Sequence, residues 1–320
     1  MSAFHPLAGV YAAAVTPLKA GGTFDLDGLL DLLRFLAGRG VHGVLLFGTT
    51  GEGPSFSPEE RLLLWRHAVR IREEFPALRL LAGCGTPSLS ETEFLIRSAF
   101  DLGFDGVVVL PPYYFRNASE EGLYHWFAHL LRHAVPADGY LLGYHIPNVA
   151  GIGFSLELLS RLKEAFPRRF AGLKDSSHDA EFARALGQRF GSDLLVLTGT
   201  DSHFQLALEN GAQGCITAAA NLISPGLRAL WDAWRKGEDV SPLQERVTHQ
   251  RHILEKFPPF PPLIKALLAR WYDFPRWDVR PPLMPLSPEK EAQVSELWMR
   301  TMEGGRSRGE PSTNGERINE

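Results

Sequence analysis

A lysine closes the apolar run Phe170-Ala171-Gly172-Leu173-Lys174, and Asp175 follows it. An ammonium at the tip of an apolar strand is costly unless it is paired or functional. An amine held uncharged there attacks carbonyl carbon and forms a Schiff base. A plain ion pair with a nearby carboxylate explains the residue equally well at this point. A second run ends Tyr144-His145-Ile146-Pro147-Asn148. A phenol facing such a lysine relays protons while an imine forms and collapses, although a lone strand tyrosine is more often packing. A third run leads into Gly48-Thr49-Thr50-Gly51-Glu52-Gly53. Its glycines and hydroxyls offer N–H and O–H donors to a small carboxylate or phosphate. Taken alone, it is also a tight turn that needs glycine for positive φ. Leu110-Pro111-Pro112-Tyr113-Tyr114 puts two phenols on a proline-stiffened loop, whose plain reading is packing or a subunit contact.

Other chemistries are less well served. His125, His129 and His133 recur every four residues, and two histidines at that spacing can hold zinc. No H-E-x-x-H accompanies them, so they read as a solvated helix face. A metal-dependent hydrolase built on this stripe is kept only as a rival. The G-x-S-x-G nucleophile turn is absent. Cys84 and Cys215 form no C-x-x-C pair, which excludes a disulfide scaffold or a cysteine-rich zinc site.

Eight short apolar runs must position these residues: Val10–Val15, Gly43–Phe47, Leu78–Gly83, Asp105–Leu110, Tyr140–Ile146, Phe170–Lys174, Leu194–Thr198 and Gly214–Thr217. Most are apolar throughout, as strands buried on both faces are. Between them lie helical stripes: Leu29, Leu30, Leu33 and Leu36; Leu62, Leu63, Trp65, Ala68, Val69 and Ile71; Phe94, Leu95, Ala99 and Leu102; Leu156, Leu159, Leu162 and Phe166. Ser57-Pro58-Glu59-Glu60, Ser155 and Ser224-Pro225 read as helix starts, and Gly38, Gly103 and Gly211 as stops. Eight such units in about 230 residues predict an α/β fold, a closed (β/α)₈ TIM barrel with its active site at the C-terminal strand ends. A doubly wound open sheet is the alternative, but no G-x-G-x-x-G or phosphate-loop motif supports it. From Ser241 the pattern turns purely helical. The expected division is a barrel over 1–235, a C-terminal helical extension over 236–302 and a disordered tail over 303–320.

Composition narrows the partners. With 33 basic against 37 acidic residues the chain carries a formal charge of −4, unlike the basic surplus of nucleic-acid binders. No run reaches the ~18 apolar residues that span a bilayer. No basic residue precedes the apolar stretch of Met1 to Pro17, so a secretory signal is not expected and a cytoplasmic location is. A small-molecule partner is left, with neither nucleic acid nor membrane.

Taken in order, these windows resemble one family. Gly9-Val10 through Val15-Thr16-Pro17-Leu18, Gly48-Thr49-Thr50-Gly51-Glu52, Pro112-Tyr113-Tyr114, Tyr144-His145-Ile146-Pro147 with Gly151, Gly172-Leu173-Lys174-Asp175-Ser176-Ser177, Gly199-Thr200-Asp201 and Gly211 through Asn221 follow one another at suitable intervals. The chain is similar to the dihydrodipicolinate synthase / N-acetylneuraminate lyase family of class I, pyruvate-handling aldolases, over roughly residues 7 to 300. The resemblance implies that Lys174 forms a Schiff base with the C2 carbonyl of pyruvate or another 2-oxo acid. It implies that Tyr144 shuttles protons to and from the imine, and that Gly48, Thr49 and Thr50 bind the substrate carboxylate. It further implies that Tyr114 reaches into a neighbouring subunit's site and that Gly199 and Ile216 line the pyruvate pocket. Members are usually homotetramers, dimers of dimers, and use no metal or separate cofactor beyond the covalent lysine imine.

The chain departs from the pattern where substrates are distinguished. The lysine-biosynthetic synthases hold the aldehyde's carboxylate with an arginine where this chain has Val149, which makes no charge-assisted bond. Pro58, Arg61 and Pro87 stand at the usual polar positions of the lysine-feedback site. The expectation is therefore a Schiff-base lyase, an aldolase or dehydratase, for a 2-keto-3-deoxy sugar acid or related 2-oxo acid. His145 and Asn148 are candidate second-substrate contacts. The alternatives are 4-hydroxy-tetrahydrodipicolinate synthase, condensing pyruvate with aspartate semialdehyde, and a non-catalytic 2-oxo acid sensor.

Overall fold

The computed structural model describes residues 4–303, and the expected tail lies outside them from residue 304 onward. Eight parallel strands close into a barrel in sequence order: β1 (Gly9–Ala13), β2 (Gly43–Leu46), β3 (Arg79–Gly83), β4 (Gly106–Val109), β5 (Leu141–His145), β6 (Phe170–Asp175), β7 (Leu195–Thr198) and β8 (Gly214–Thr217). The helices that alternate with them are α1 (Leu26–Gly38), α2 (Pro58–Ala68), α3 (Leu89–Asp101), α4 (Glu120–His133), α5 (Pro147–Ala150), α6 (Leu156–Ala165), α7 (Ala180–Phe190), α8 (Phe204–Glu209) and α9 (Ala220–Arg235). The extension is α10 (Ser241–Glu255), α11 (Phe260–Tyr272) and α12 (Pro288–Glu303). None of the described helices is long and apolar enough to cross a membrane.

Strand alternation divides the apolar side chains into two layers. Tyr11, Leu45, Leu81, Val108, Leu142 and Ile216 pack inside the barrel. Their strand neighbours face outward into the larger layer beneath the helices. Burial of each such side chain is worth about 1.5–3 kcal/mol. Side-chain caps mark the helix starts. Ser57 and Glu60 form a reciprocal capping box on α2, and Asp25, Ser88, Ser119, Ser155 and Asp179 each accept an N–H of the helix that follows.

Two stripe residues need correction, while two expected helix ends hold. Leu63 and Phe94 are exposed. The buried face of α2 instead carries Arg61, whose guanidinium donates to the carbonyls of Gly53 (2.6 Å) and Gly83 (3.2 Å). Two backbone acceptors outweigh the apolar pattern there. Ser224-Pro225 begins a helix as expected: α9 is two helices joined at the non-helical Ile223 (φ −113°, ψ 19°), a short turn from Ala220 and a longer helix that opens at Ser224-Pro225, where the missing N–H of Pro225 costs least. α1 stops at Gly38 as expected, and the left-handed residue that follows it is Gly40 (φ 84°).

Candidate active site

The strands deliver the chemistry-bearing residues to one mouth. β5 and β6 pair Tyr144 directly against Lys174. Strict alternation from Ala171, which faces the barrel interior, would send Lys174 outward. A register shift prevents this: Leu141 pairs with Phe170 but Leu142 pairs with Gly172, so β6 carries one extra residue. Such a bulge re-aims the side chains beyond it. Glycine is required at its centre, since a Cβ on Gly172 would lie 1.9 Å from the Leu195 carbonyl oxygen.

Lys174 is consequently only 3% exposed, with Nζ 4.0 Å from the centre of the Tyr144 ring. The Tyr144 hydroxyl hydrogen-bonds with that of Thr49 at 3.2 Å. Burial alone would raise the Tyr144 phenol. The charge of Lys174 and the hydrogen bond with Thr49, with a smaller contribution from Ser176, outweigh it and hold the phenol below the ordinary tyrosine value.

The turn after β2 is bracketed by two left-handed, non-glycine residues, Phe47 (φ 54°) and Glu52 (φ 57°). Conformations of this kind cost about 1–3 kcal/mol each and concentrate at functional sites. Within the bracket Glu52 N–H donates to Thr49 and Gly53 N–H to Gly48. The N–H groups of Thr49, Thr50 and Gly51 find no protein acceptor among the described residues. Thr50 is buried and Thr49 faces the mouth. Three unspent donors with two hydroxyls make a cradle for a carboxylate.

Ser176 is a residue that sequence reasoning left out of the site. Its N–H donates to the His145 carbonyl (2.8 Å). Its hydroxyl abuts Gly199, where a Cβ would fall 1.9 Å from Oγ. The available signal was position: Ser176 stands two residues beyond Lys174, on the same side of the chain. Ile216 lies buried in the barrel interior.

His145 alternates to the outside of the barrel, away from Tyr144. Its Nδ1 accepts the Phe154 N–H (2.9 Å) and its ring stacks on Phe182 (4.4 Å). Burial pushes its pKa down to about 4. The structure thus does not bring His145 to the reactive groups. Exposed Asn148 donates to the Ser177 carbonyl at 3.3 Å. Tyr114 is 76% exposed and packs edge-on against Phe115, with no hydrogen bond to Thr49 or Tyr144 among the described residues. Val149 is 61% exposed. Arg116, another residue the sequence did not single out, runs against Gly151, where a Cβ would meet its Cδ at 2.5 Å. It has no ion pair or hydrogen-bonding partner among the described residues. His125 pairs with Glu121 and His129 with Glu93. No group of three or more His, Cys, Asp or Glu side chains that could hold a metal occurs among the described residues.

Comparison with known proteins agrees over most of the chain. Residues 6–300 match the Dihydrodipicolinate synthetase family. The chain is 38% identical over 297 residues to an uncharacterized DapA-like lyase of Chloroflexus aurantiacus, covering 92% of this chain and 97% of that protein. Among solved structures, it resembles the 4-hydroxy-tetrahydrodipicolinate synthase of Methylacidiphilum fumariolicum SolV, with TM-score 0.85, 27% identity and coverage of 93% and 96%. It likewise resembles YagE of E. coli K12, a family member solved in complex with pyruvate, with TM-score 0.86, 25% identity and coverage of 92% and 99%.

Proposed function

The chain belongs to the dihydrodipicolinate synthetase family and is a lyase of that family, and from this premise we propose that Lys174 forms a Schiff base with pyruvate, a 2-keto-3-deoxy sugar acid or a related 2-oxo acid. The observation that carries the reading is the chain of contacts from Lys174 Nζ over the Tyr144 ring to Thr49. The amine adds to C2, and the carbonyl oxygen departs as water with protons passed through Tyr144. The iminium then draws in the electron pair of a bond at C3, giving an enamine. In cleavage the C4 hydroxyl loses its proton and C4 leaves as an aldehyde. The enamine takes a proton at C3, and water releases pyruvate from Lys174. In dehydration a C3 proton is lost and the C4 hydroxyl leaves as water. Thr49, Thr50 and the unspent N–H groups hold the carboxylate throughout and orient C2 beside the phenol.

Substrate preference follows from the other side of the mouth. Val149 offers no charge to an aldehyde's carboxylate, and a missing bidentate partner costs several kcal/mol at order of magnitude. Arg116 is the cation nearest that loop and meets the far end of a longer sugar-acid chain. Condensation of pyruvate with aspartate semialdehyde remains the second reading, favoured by the activity named for the Methylacidiphilum relative. Exposed Tyr114 supports a homotetramer in which a second copy covers its loop. Borohydride reduction with pyruvate, followed by peptide mass spectrometry, tests the central step. The expected result is a reduced adduct on Lys174; an unmodified Lys174 under conditions that trap a control aldolase overturns the proposal. A screen of 2-keto-3-deoxy acids against pyruvate plus aspartate semialdehyde separates the two readings. An adduct without turnover of either would leave a sensor.

A further inference from the structure

The helical extension reaches the mouth through buried charge. Lys265 on α11 places Nζ 2.5 Å from Glu52, with the two side chains 1% and 0% exposed. The same ammonium donates to the Asp278 carbonyl (2.6 Å), and the second Glu52 oxygen accepts the Arg280 N–H (3.0 Å). Around this pair the segment after α11 is laced across the loops that follow β1 and β2. Trp277 Nε1–H donates to Asp25, Asp278 N–H to the Leu18 carbonyl, and the Arg280 guanidinium to Glu60 and to the Ser55 and Gly22 carbonyls.

Fold stability is a poor reason for such a pair, because well-packed apolar residues in place of a buried ion pair are often as stable or more so. What the pair does accomplish is geometric. Glu52 is the left-handed residue that ends the carboxylate cradle, and its N–H closes the turn onto Thr49. Its side chain is fixed at both oxygens by residues more than 200 positions away. The direction of the Thr49, Thr50 and Gly51 N–H groups therefore depends on where Lys265 holds Glu52.

We propose that Lys265 is a positioning residue: through Glu52 it aims the Gly48–Gly53 turn at the substrate carboxylate, so the helical extension sets the affinity of the 2-oxo acid subsite. The inference rests on the reading of Lys174 as the imine-forming lysine. The two fail differently, since wild-type protein that resists borohydride trapping removes that reading before any Lys265 variant is made.

The test compares Lys265→Met, the charge-balanced double variant Glu52→Gln/Lys265→Met, and Val294→Ala, which loosens buried α12 without touching the turn. Each is assayed for pyruvate concentration dependence of borohydride trapping, maximal trapping rate and thermal midpoint. In Lys265→Met the half-saturating pyruvate concentration should rise about tenfold or more, with the maximal rate within about threefold, as expected when orientation rather than the nucleophile is lost. If Lys265→Met does not fold, the double variant carries the test. It should recover the thermal midpoint while keeping the raised pyruvate requirement. Half-saturation unchanged in the folded variants overturns the proposal. So does a rise of equal size in Val294→Ala at matched destabilisation, because that would make the effect one of general loosening.

Discussion

The two halves of the barrel mouth are built differently. On the β1–β2 side, the turn over Gly48–Gly53 is buried except at Thr49, bracketed by left-handed residues and tied to α11 by a buried ion pair. The β7 side shares the device: Arg251 of α10 reaches buried Asp201 at 2.8 Å, two residues past Gly199. On the β4–β5 side, Tyr114, Phe115, Arg116 and Val149 stand in solvent with no comparable bracing. Every 2-oxo acid presents the same head, a carboxylate beside a carbonyl, and a rigid cradle suits an invariant group. In the proposed reading the braced half holds this common head, the open half meets the variable remainder of the substrate, and Lys174 and Tyr144 stand on β6 and β5 outside the braced turns.

The largest expected effect removes the reactive amine. Lys174→Ala should abolish adduct formation and lower turnover by at least about 10³-fold, read by mass spectrometry and a pyruvate-release assay. Retained turnover would remove Lys174 from the chemistry. Tyr144→Phe should cost about 10²–10⁴-fold in turnover, the usual worth of a positioned proton carrier.

The same phenol gives a pH prediction. In the free protein, Tyr144 should ionise below the ordinary tyrosine range, visible as a tyrosinate absorbance missing from Tyr144→Phe. Lys174→Met removes the opposing cation, leaves burial countered only by Thr49 and Ser176, and should move that ionisation upward. An ionisation that stays in place in Lys174→Met would mean that the two side chains do not sense each other. His145 sits down at about 4, so it should add no ionisation across the neutral range.

Exchanges in the open half should shift preference without touching the imine. Val149→Arg should strengthen use of aspartate semialdehyde by about 10- to 100-fold, seen as a lower KM, the value of one bidentate carboxylate contact. Pyruvate trapping should stay as in wild type; a wild-type protein already saturating with that aldehyde would erase the distinction. Arg116→Ala should weaken binding of those 2-oxo acids that end in an acidic group about tenfold and leave pyruvate alone, a typical cost for one charged hydrogen bond. Steady-state assays with acidic-ended and neutral substrates side by side would read the difference, and an equal loss for both would remove Arg116 from substrate choice. Smallest of all, Ser119→Ala removes the α4 cap and should lower stability by about 1 kcal/mol without changing KM. A change in KM would show that the exposed loop is stiffened by the helix it enters.

Much of this molecule was legible before folding. Each of the eight apolar runs coincides with a strand of the barrel to within two residues at either end, and Ser57, Ser155, Gly103 and Gly211 stand where helices start or stop. These signals are local, made by neighbours along the chain. The exposed Leu63 and the buried Arg61 were not legible, because the carbonyls that recruit Arg61 lie on two other segments. His145 read as a mouth residue for want of its partners, Phe154 and Phe182.

By itself the sequence determined the repeating βα plan and the residue types on offer at the strand ends, since periodicity, caps and residue types are short-range properties. The tertiary structure decided where those side chains point. A one-residue bulge, visible only when β6 lies beside β5, turns Lys174 inward, and a lysine 213 residues distant seats the left-handed Glu52 at the end of the cradle. Orientation at the mouth is a product of pairing between strands and of buried charge between remote segments, and neither leaves a pattern along a single stretch of chain.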